Sequence, residues 1–131
     1  MKRQFFFLLT FFLLSGIAFS QTAEKDSIQV IPLEKFEKMA SKKKNMLMDV
    51  RTPEEVSEGH LPGAVNINFL GENFSSEVEK LNKNKTYLLY CRSGSRTRRA
   101  ADQMQKAGFK KVYMLEGGIT AWKEAGKPIE K

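Results

Sequence analysis

Cysteine chemistry is the first possibility that the sequence suggests, because Cys91 is its only cysteine and lies among polar and basic residues. The segment Cys91-Arg92-Ser93-Gly94-Ser95-Arg96 follows directly on the apolar run 86–90. A short loop that contains a glycine can point several backbone N–H groups at one anion, and the arginines add positive charge. Both effects favour a thiolate, so we predict that Cys91 is a nucleophile near neutral pH without a histidine base. The alternative is an ordinary small residue at the end of a strand.

The elements that must position this loop are short apolar runs with helical patterns between them. The runs cover residues 28–31, 46–50, 64–67, 87–90 and 112–115. Strands spaced in this way are typical of an α/β fold with a mostly parallel sheet. The carboxyl ends of such strands open into the ligand crevice, so the loop after the fourth run lies where these folds place an active site. We therefore expect Cys91 at the rim of the sheet and not in its core.

The helical patterns have apolar residues every three to four positions. They predict helices over residues 33–40, 96–107 and 119–125. Ser76 with Glu79 predicts a capping box at the start of a further helix. Gly108 is predicted to end the 96–107 helix in a left-handed conformation.

The first twenty residues have the pattern of a secretory signal. Lys2 and Arg3 precede the apolar run 5–14, and Ala18-Phe19-Ser20 provides small residues for cleavage. The apolar run is shorter than the roughly 20 residues that a permanent anchor needs. We predict a signal peptide over 1–20, a polar leader over 21–27 and one domain over 28–131, in a periplasmic or secreted protein without a stable membrane anchor after cleavage.

Composition and charge restrict the class of partner. A chain of 131 residues with 41% hydrophobic and 28% charged residues fits one globular domain, which could function as a monomer. The net charge of +7 is distributed along the chain. Because no segment interleaves aromatic and basic residues, we expect no nucleic-acid partner, and a small anionic substrate fits the basic balance better.

Four motifs in this sequence resemble the rhodanese, or sulfurtransferase, family in its single-domain form. They are Asp49-Val50-Arg51, Glu58-Gly59-His60-Leu61-Pro62-Gly63-Ala64, Tyr90-Cys91-Arg92-Ser93-Gly94-Ser95-Arg96, and Leu115-Glu116-Gly117-Gly118 followed by Trp122. The resemblance covers about residues 28–126. It implies a five-stranded parallel sheet flanked by helices, and an enzyme that needs no cofactor.

The resemblance also implies a reaction and a set of roles. Cys91 would take a sulfane sulfur from thiosulfate or a persulfide donor, and pass it to cyanide, a thiol or a thioredoxin-like dithiol. Backbone N–H groups of residues 92–96, Gly94 included, would hold the persulfide. Arg92 and Arg96 would form a cationic entrance that orients an anionic donor. For Ser93 and Ser95 two interpretations stay open: hydrogen bonds to the oxygens of the donor, or a loop that needs small residues.

Other polar residues are interpreted as structural. Asp49 and Arg51, at the end of the second predicted strand, are expected to form salt bridges that fix neighbouring loops. His60 is the only histidine, and without a second ligand we predict a hydrogen-bonding loop residue and no metal site. Gly117-Gly118 is predicted to allow a close backbone approach near the site.

Two other functions use a similar loop. A cysteine phosphatase or arsenate reductase would have an arginine six positions after the cysteine, where this chain has Thr97. The shorter spacing from Cys91 to Arg96 favours a sulfur atom over a phosphoryl group. A non-catalytic binding module is the other alternative, and the presence of the cysteine with both arginines favours an enzyme.

Overall fold

A five-stranded sheet with helices on both faces forms the domain in the computed structural model, which describes residues 27–131. The strands are β1 Ser27–Ile31, β2 Met46–Asp49, β3 Val65–Asn66, β4 Thr86–Tyr90 and β5 Lys111–Leu115. The helices are α1 Leu33–Ala40, α2 Pro53–Ser57, α3 Phe74–Glu79, α4 Ser95–Lys106 and α5 Gly118–Glu124. The predicted signal peptide, its cleavage site and residues 21–26 of the predicted leader lie outside the described residues.

The strand order is β1-β5-β4-β2-β3, and every neighbouring pair is parallel. The predicted α/β class and five-stranded parallel sheet are therefore confirmed. Ser27, the last residue of the predicted leader, is the first residue of β1. The strand β4 lies at the centre of the sheet, which brings the cysteine loop between the ends of β5 and β2.

The central strand β4 is buried on both of its faces. Successive side chains of a strand point to opposite faces, so Leu89 packs into one hydrophobic cluster and Leu88 into the other. Helix α4 covers the first cluster with Ala100, Ala101 and Met104. Helices α1 and α5 cover the second with Phe36, Ile119 and Trp122. Burial of each large side chain contributes about 2 kcal/mol, and together they fix the end of β4.

A capping box is present at a different helix from the predicted one. The Thr52 hydroxyl accepts a hydrogen bond from the Glu55 N–H at 3.3 Å, and the Glu55 carboxylate accepts one from the Thr52 N–H at 3.3 Å. This box begins α2, a helix that our sequence analysis missed although Thr52-Pro53 and Glu55 are its usual signals. Ser76 lies inside α3, where its hydroxyl donates to the Asn73 carbonyl at 2.9 Å, so the capping box predicted there is wrong.

The long helix α4 ends as predicted, with Gly108 at a φ of +101° after the cap residue Ala107. Helices α4 and α5 each begin one residue earlier than predicted. Within residues 27–131, no helix combines the length and the apolar character that crossing a membrane requires.

Candidate active site

The loop between β4 and α4 bends around the sulfur of Cys91. Gly94 has a φ of +130°, which L side chains rarely adopt, and its N–H donates to Cys91 Sγ at 3.1 Å. Gly94 is also the N-cap of α4, so the positive end of the helix dipole lies at the sulfur. The predicted arrangement of a glycine loop that places donors around the cysteine is present.

Cys91 is buried, with 1% of its surface exposed, and it packs in the cluster that α4 covers. The expectation of a rim cysteine outside the core is therefore wrong, although Cys91 does follow directly on β4. Cys91 is buried because its own loop folds back over the side chain. The segment after β5 also forms a hydrogen bond with the backbone of Cys91. The Ile119 N–H donates to the Cys91 carbonyl at 2.9 Å.

Thr97, in the first turn of α4, is a site residue that our sequence analysis used only to argue against a phosphatase. Its hydroxyl lies 3.6 Å from Cys91 Sγ and donates to the Gly94 carbonyl at 2.7 Å. A threonine in a first helical turn commonly bonds a carbonyl three residues back, and that pattern could have identified it.

The thiol of Cys91 is subject to opposing effects. Burial alone would raise its pKa, but hydrogen bonds from Thr97, and from the backbone N–H groups of Gly94 and Ser93, more than offset this effect. The pKa of Cys91 therefore lies below its ordinary value, and the thiolate is the favoured form over a wider range of pH.

The two loop arginines differ in their surroundings. Arg96 forms a two-point ion pair with Glu55 across 2.8 Å (Nη1 to Oε2) and 3.1 Å (Nη2 to Oε1). This pair is the largest cause of both the raised pKa of Arg96 and the lowered pKa of Glu55. Arg92 is exposed and has no side-chain partner among residues 27–131. Of the two guanidinium charges expected at the entrance, one is thus compensated by a carboxylate that sequence reasoning did not identify.

Asp49 and Arg51 form the predicted salt bridge, at 2.7 Å between Oδ2 and Nη2, and both are buried. The same Nη2 donates to the Gly59 carbonyl at 2.7 Å, and the guanidinium carbon lies 5.6 Å from the centre of the Tyr90 ring. The Tyr90 hydroxyl accepts from the Leu61 N–H at 3.0 Å. The pair therefore ties the end of β2 to the loop before β3.

His60 forms hydrogen bonds within its loop, and Gly118 allows a close backbone approach, as the sequence predicts. His60 Nδ1 lies 2.9 Å from the Leu61 carbonyl, and the His60 N–H donates to the Glu130 carbonyl at 2.8 Å. Gly118 approaches the cysteine loop so closely that a Cβ there would collide with the Arg92 carbonyl. Among residues 27–131, no group of three or more histidine, cysteine or acidic side chains could hold a metal ion.

Ser93 and Ser95 are both exposed on the loop, and neither side chain has a partner among the described residues. Ser93 and Gly94 line a small cavity of about 150 Å³ on one side of the loop. A separate open cleft of about 440 Å³ lies next to Arg92, between α2 and α5. The cleft is lined by charges of both signs, so the expected cationic entrance is in fact a mixed one.

The arrangement is suited to nucleophilic attack on sulfur. It holds a thiolate with a lowered pKa at a helix N-terminus, surrounded by N–H donors that can also hold an anionic product. Arg92 can contact an anionic substrate that enters beside the loop.

Comparison with known proteins gives consistent matches. Residues 32–125 match the rhodanese-like domain. YtwF of Bacillus subtilis, provisionally named a sulfurtransferase, is 40% identical over 92 residues, which are 70% of this chain and 86% of YtwF. The thiosulfate sulfurtransferase GlpE of Shewanella oneidensis is 28% identical over 76% of this chain and 96% of its own. The crystal structure of a rhodanese-related protein from Thermoplasma volcanium superposes with a TM-score of 0.69 at 25% identity, over 78% of this chain and 97% of that one.

Proposed function

The chain belongs to the rhodanese-like family, and we propose that it is a sulfurtransferase in which Cys91 carries a sulfane sulfur as a persulfide. The donor is thiosulfate or a persulfide, and the acceptor is cyanide or a thiol. The observation that supports this proposal most directly is the 3.1 Å hydrogen bond from the Gly94 N–H to the sulfur of the only cysteine in the sequence. A donor in this position stabilises a negative charge on sulfur before and after transfer.

The first half-reaction loads the enzyme. The Cys91 thiolate attacks the outer sulfur of thiosulfate, the bond between the two thiosulfate sulfurs breaks, and sulfite leaves with the electron pair. Arg92 binds the anionic donor and neutralises the sulfite as it forms, since its guanidinium has no competing partner among the described residues.

The second half-reaction removes the sulfur from the enzyme. The acceptor attacks the outer sulfur of the Cys91 persulfide, the bond between the persulfide sulfurs breaks, and its electron pair returns to Cys91. The N–H groups of Ser93 and Gly94 and the Thr97 hydroxyl stabilise the thiolate that leaves, as they do in the free enzyme.

Phosphoryl transfer has less support at this site. Thr97 stands where a cysteine phosphatase has an arginine, and its neutral hydroxyl supplies no positive charge to a phosphoryl group. A pure binding module would not need the hydrogen bonds that lower the pKa of Cys91.

We also propose that the mature protein acts as a monomer in the periplasm or outside the cell, after cleavage behind Ser20. The basic, apolar and small-residue segments of residues 1–20 support this location. N-terminal sequencing of the protein from its native cell tests it. A mature chain starting at Gln21 is expected, and a membrane-bound chain starting at Met1 would contradict the proposal.

The reaction is tested by thiocyanate formation from thiosulfate and cyanide. Cys91→Ser is expected to abolish it, because the hydroxyl of serine is a far weaker nucleophile than a thiolate. Since Cys91 is buried, the substitution is also expected to lower stability by about 1 kcal/mol. Circular dichroism must show the variant folded, and a folded variant with most of its activity would remove Cys91 from the mechanism.

A further inference from the structure

Nine lysines lie at the edge of the sheet where the strands begin, opposite the cysteine loop. Three segments contribute three lysines each: 41–45 between α1 and β2, 80–85 between α3 and β4, and 106–111 from the end of α4 to the start of β5. None of these segments contains an aspartate or a glutamate. We call this set the lysine edge, and it comprises Lys42, Lys43, Lys44, Lys80, Lys83, Lys85, Lys106, Lys110 and Lys111.

The register of the sheet brings the three segments together. The first residue of β4 is paired with Lys111, the first residue of β5, and the next residue of β4 is paired with the first residue of β2. Neighbouring strands are about 4.8 Å apart, so the three strand starts lie within about 10 Å of one another. The connections before β4 and β5 also approach each other, because a Cβ on Gly108 would lie 3.5 Å from Cδ of Lys83.

The charges of the lysine edge are largely uncompensated. Lys83 is half-buried and forms an ion pair with Glu79 at 3.5 Å. The other eight side chains are exposed, and none has an ion-pair partner among residues 27–131. The net charge of the chain is +7, so this edge accounts for the whole excess of positive charge. Like charges at such short separations repel one another, and an anionic partner would relieve that repulsion.

The N-terminal segment of the chain indicates what that partner is. Ser27 begins β1 and is paired with Lys111, so residues 1–26 join the domain at the lysine edge. The apolar run 5–14 belongs to this segment, and only residues 21–26 separate the predicted signal peptide from β1. Six residues span at most about 20 Å. During the export that we propose, the lysine edge is therefore held next to the membrane that contains the signal peptide.

The composition of the lysine edge also fits a membrane surface better than a nucleic acid. Its three segments contain one aromatic residue, Phe109, which is buried, so nucleobases would find no stacking partner. Clustered lysines next to a membrane bind anionic headgroups through charge alone. Residues 21–26 contain Glu24, Lys25 and Asp26, so they offset only one of the nine charges.

We propose that the lysine edge binds, reversibly and through charge, the surface of a membrane that contains anionic phospholipids. The ammonium groups contact the phosphates of the lipid headgroups. The cysteine loop follows the opposite end of β4 and is therefore directed away from the lipid. This inference goes beyond the proposed sulfur transfer and does not depend on it.

The test is cosedimentation of the mature protein with phospholipid vesicles at low ionic strength. We expect binding to vesicles of phosphatidylcholine mixed with phosphatidylglycerol, and no binding to phosphatidylcholine alone. Salt at about 0.5 M should release the protein, because it screens exposed charges. No binding to the mixed vesicles, or equal binding to both kinds, would overturn the proposal.

Two double variants remove charge from different segments of the lysine edge. Lys43→Gln with Lys44→Gln, and Lys110→Gln with Lys111→Gln, should each weaken binding to the mixed vesicles about tenfold, because each lysine near the surface contributes a few-fold. Circular dichroism verifies the fold of each variant. Because the two pairs lie on separate connections, either pair tests the proposal if the other variant does not fold.

Lys35→Gln with Lys123→Gln is the matched control, since it removes the same charge elsewhere. Lys35 lies in the first turn of α1, and Lys123 lines the cleft next to Arg92, so both are at the edge that carries the cysteine loop. The control should weaken binding by less than about twofold. Equal effects of the control and the lysine-edge variants would show that net charge, and not this edge, determines binding.

Soluble polyglutamate and duplex DNA, measured in the same buffer, represent the other anionic partners. Tighter binding to either polymer than to the mixed vesicles would assign the lysine edge to an acidic protein or a nucleic acid and overturn the membrane proposal. The measurements use no sulfur donor, and persulfide formation on Cys91 is assayed separately. Failure of membrane binding therefore leaves sulfur transfer standing, and the reverse also holds.

Discussion

At the scale of the residue, Cys91 combines two properties that usually exclude each other. It is as buried as a core side chain, yet its pKa is lowered because the hydrogen bonds of its loop outweigh the effect of burial. The nucleophile, Gly94 and Arg92 could be identified from the sequence, since they occupy one short segment. The role of Glu55 could not be read in the same way, because Glu55 reaches Arg96 from 41 positions away.

Replacement of Thr97 by valine should shift the pH dependence of sulfur loading. Sulfur loading needs the thiolate of Cys91, so the loading rate rises with pH through the pKa of this thiol. That pKa lies below its ordinary value of 9.0. Loss of the hydroxyl raises the pKa, so the rising limb moves to higher pH and the rate at neutral pH falls about threefold to tenfold. Stopped-flow measurement of sulfite release across pH checks this.

The matched control is Thr97→Ser, which retains the hydroxyl and should keep the rising limb near its original position. A valine variant with an unchanged pH profile, or equal shifts in both variants, would show that the hydroxyl does not act on the sulfur.

The two loop arginines should respond differently to replacement by alanine. Arg92→Ala is expected to weaken use of thiosulfate about tenfold while sparing an uncharged persulfide donor, because the exposed guanidinium interacts with the charge of the donor. Arg96→Ala breaks the ion pair with Glu55, so it should reduce turnover of charged and neutral donors alike. Steady-state kinetics with both donors, at two ionic strengths, make the comparison.

Folding of the Arg96→Ala variant must be verified first, because α4 begins beside this residue. Equal losses with both donors for Arg92→Ala would contradict a role of Arg92 in recognising charge.

At the scale of the secondary-structure element, the site depends on hydrogen bonds and ion pairs between short segments that connect the strands. The capping box starts α2 and also orients Glu55 toward Arg96, so one carboxylate organises two helices. Sequence patterns predicted α1, α4 and α5 well because their apolar spacing is regular. Helix α2 was missed because it is only five residues long and buries no side chain, which leaves little periodicity to detect.

Gly118→Ala tests the contact between the β5–α5 connection and the cysteine loop. Gly118 has a φ of +60°, and a Cβ would also collide with the Arg92 carbonyl, so we expect a loss of stability of about 3 kcal/mol and a large loss of activity. Urea unfolding and the thiocyanate assay measure the two effects.

Gly126→Ala is the control, because Gly126 has a similar φ of +71° but nothing within 4 Å of a Cβ. It should cost only the backbone strain of about 1 kcal/mol and leave the activity unchanged. If the two variants lose equal stability, the close approach at Gly118 does not matter.

At the scale of the whole molecule, the sheet order explains why the loop is central. The strand β4 has β5 on one side and β2 on the other, so residues from three strand ends meet around Cys91. Apolar runs predicted the strands and their parallel arrangement, since such runs are local. The burial of Cys91 could not be predicted in this way, because it depends on where residues 117–120 return to the loop. The same distant packing creates the mixed charges of the cleft.

The central claim, that Cys91 carries sulfur as a persulfide, is tested most directly by the intact mass of the mature protein before and after incubation with thiosulfate. We predict a gain of one sulfur atom, its removal by cyanide with return to the original mass, and no gain in folded Cys91→Ser. An unchanged mass of the native protein, or the same gain in the Cys91→Ser variant, would contradict it.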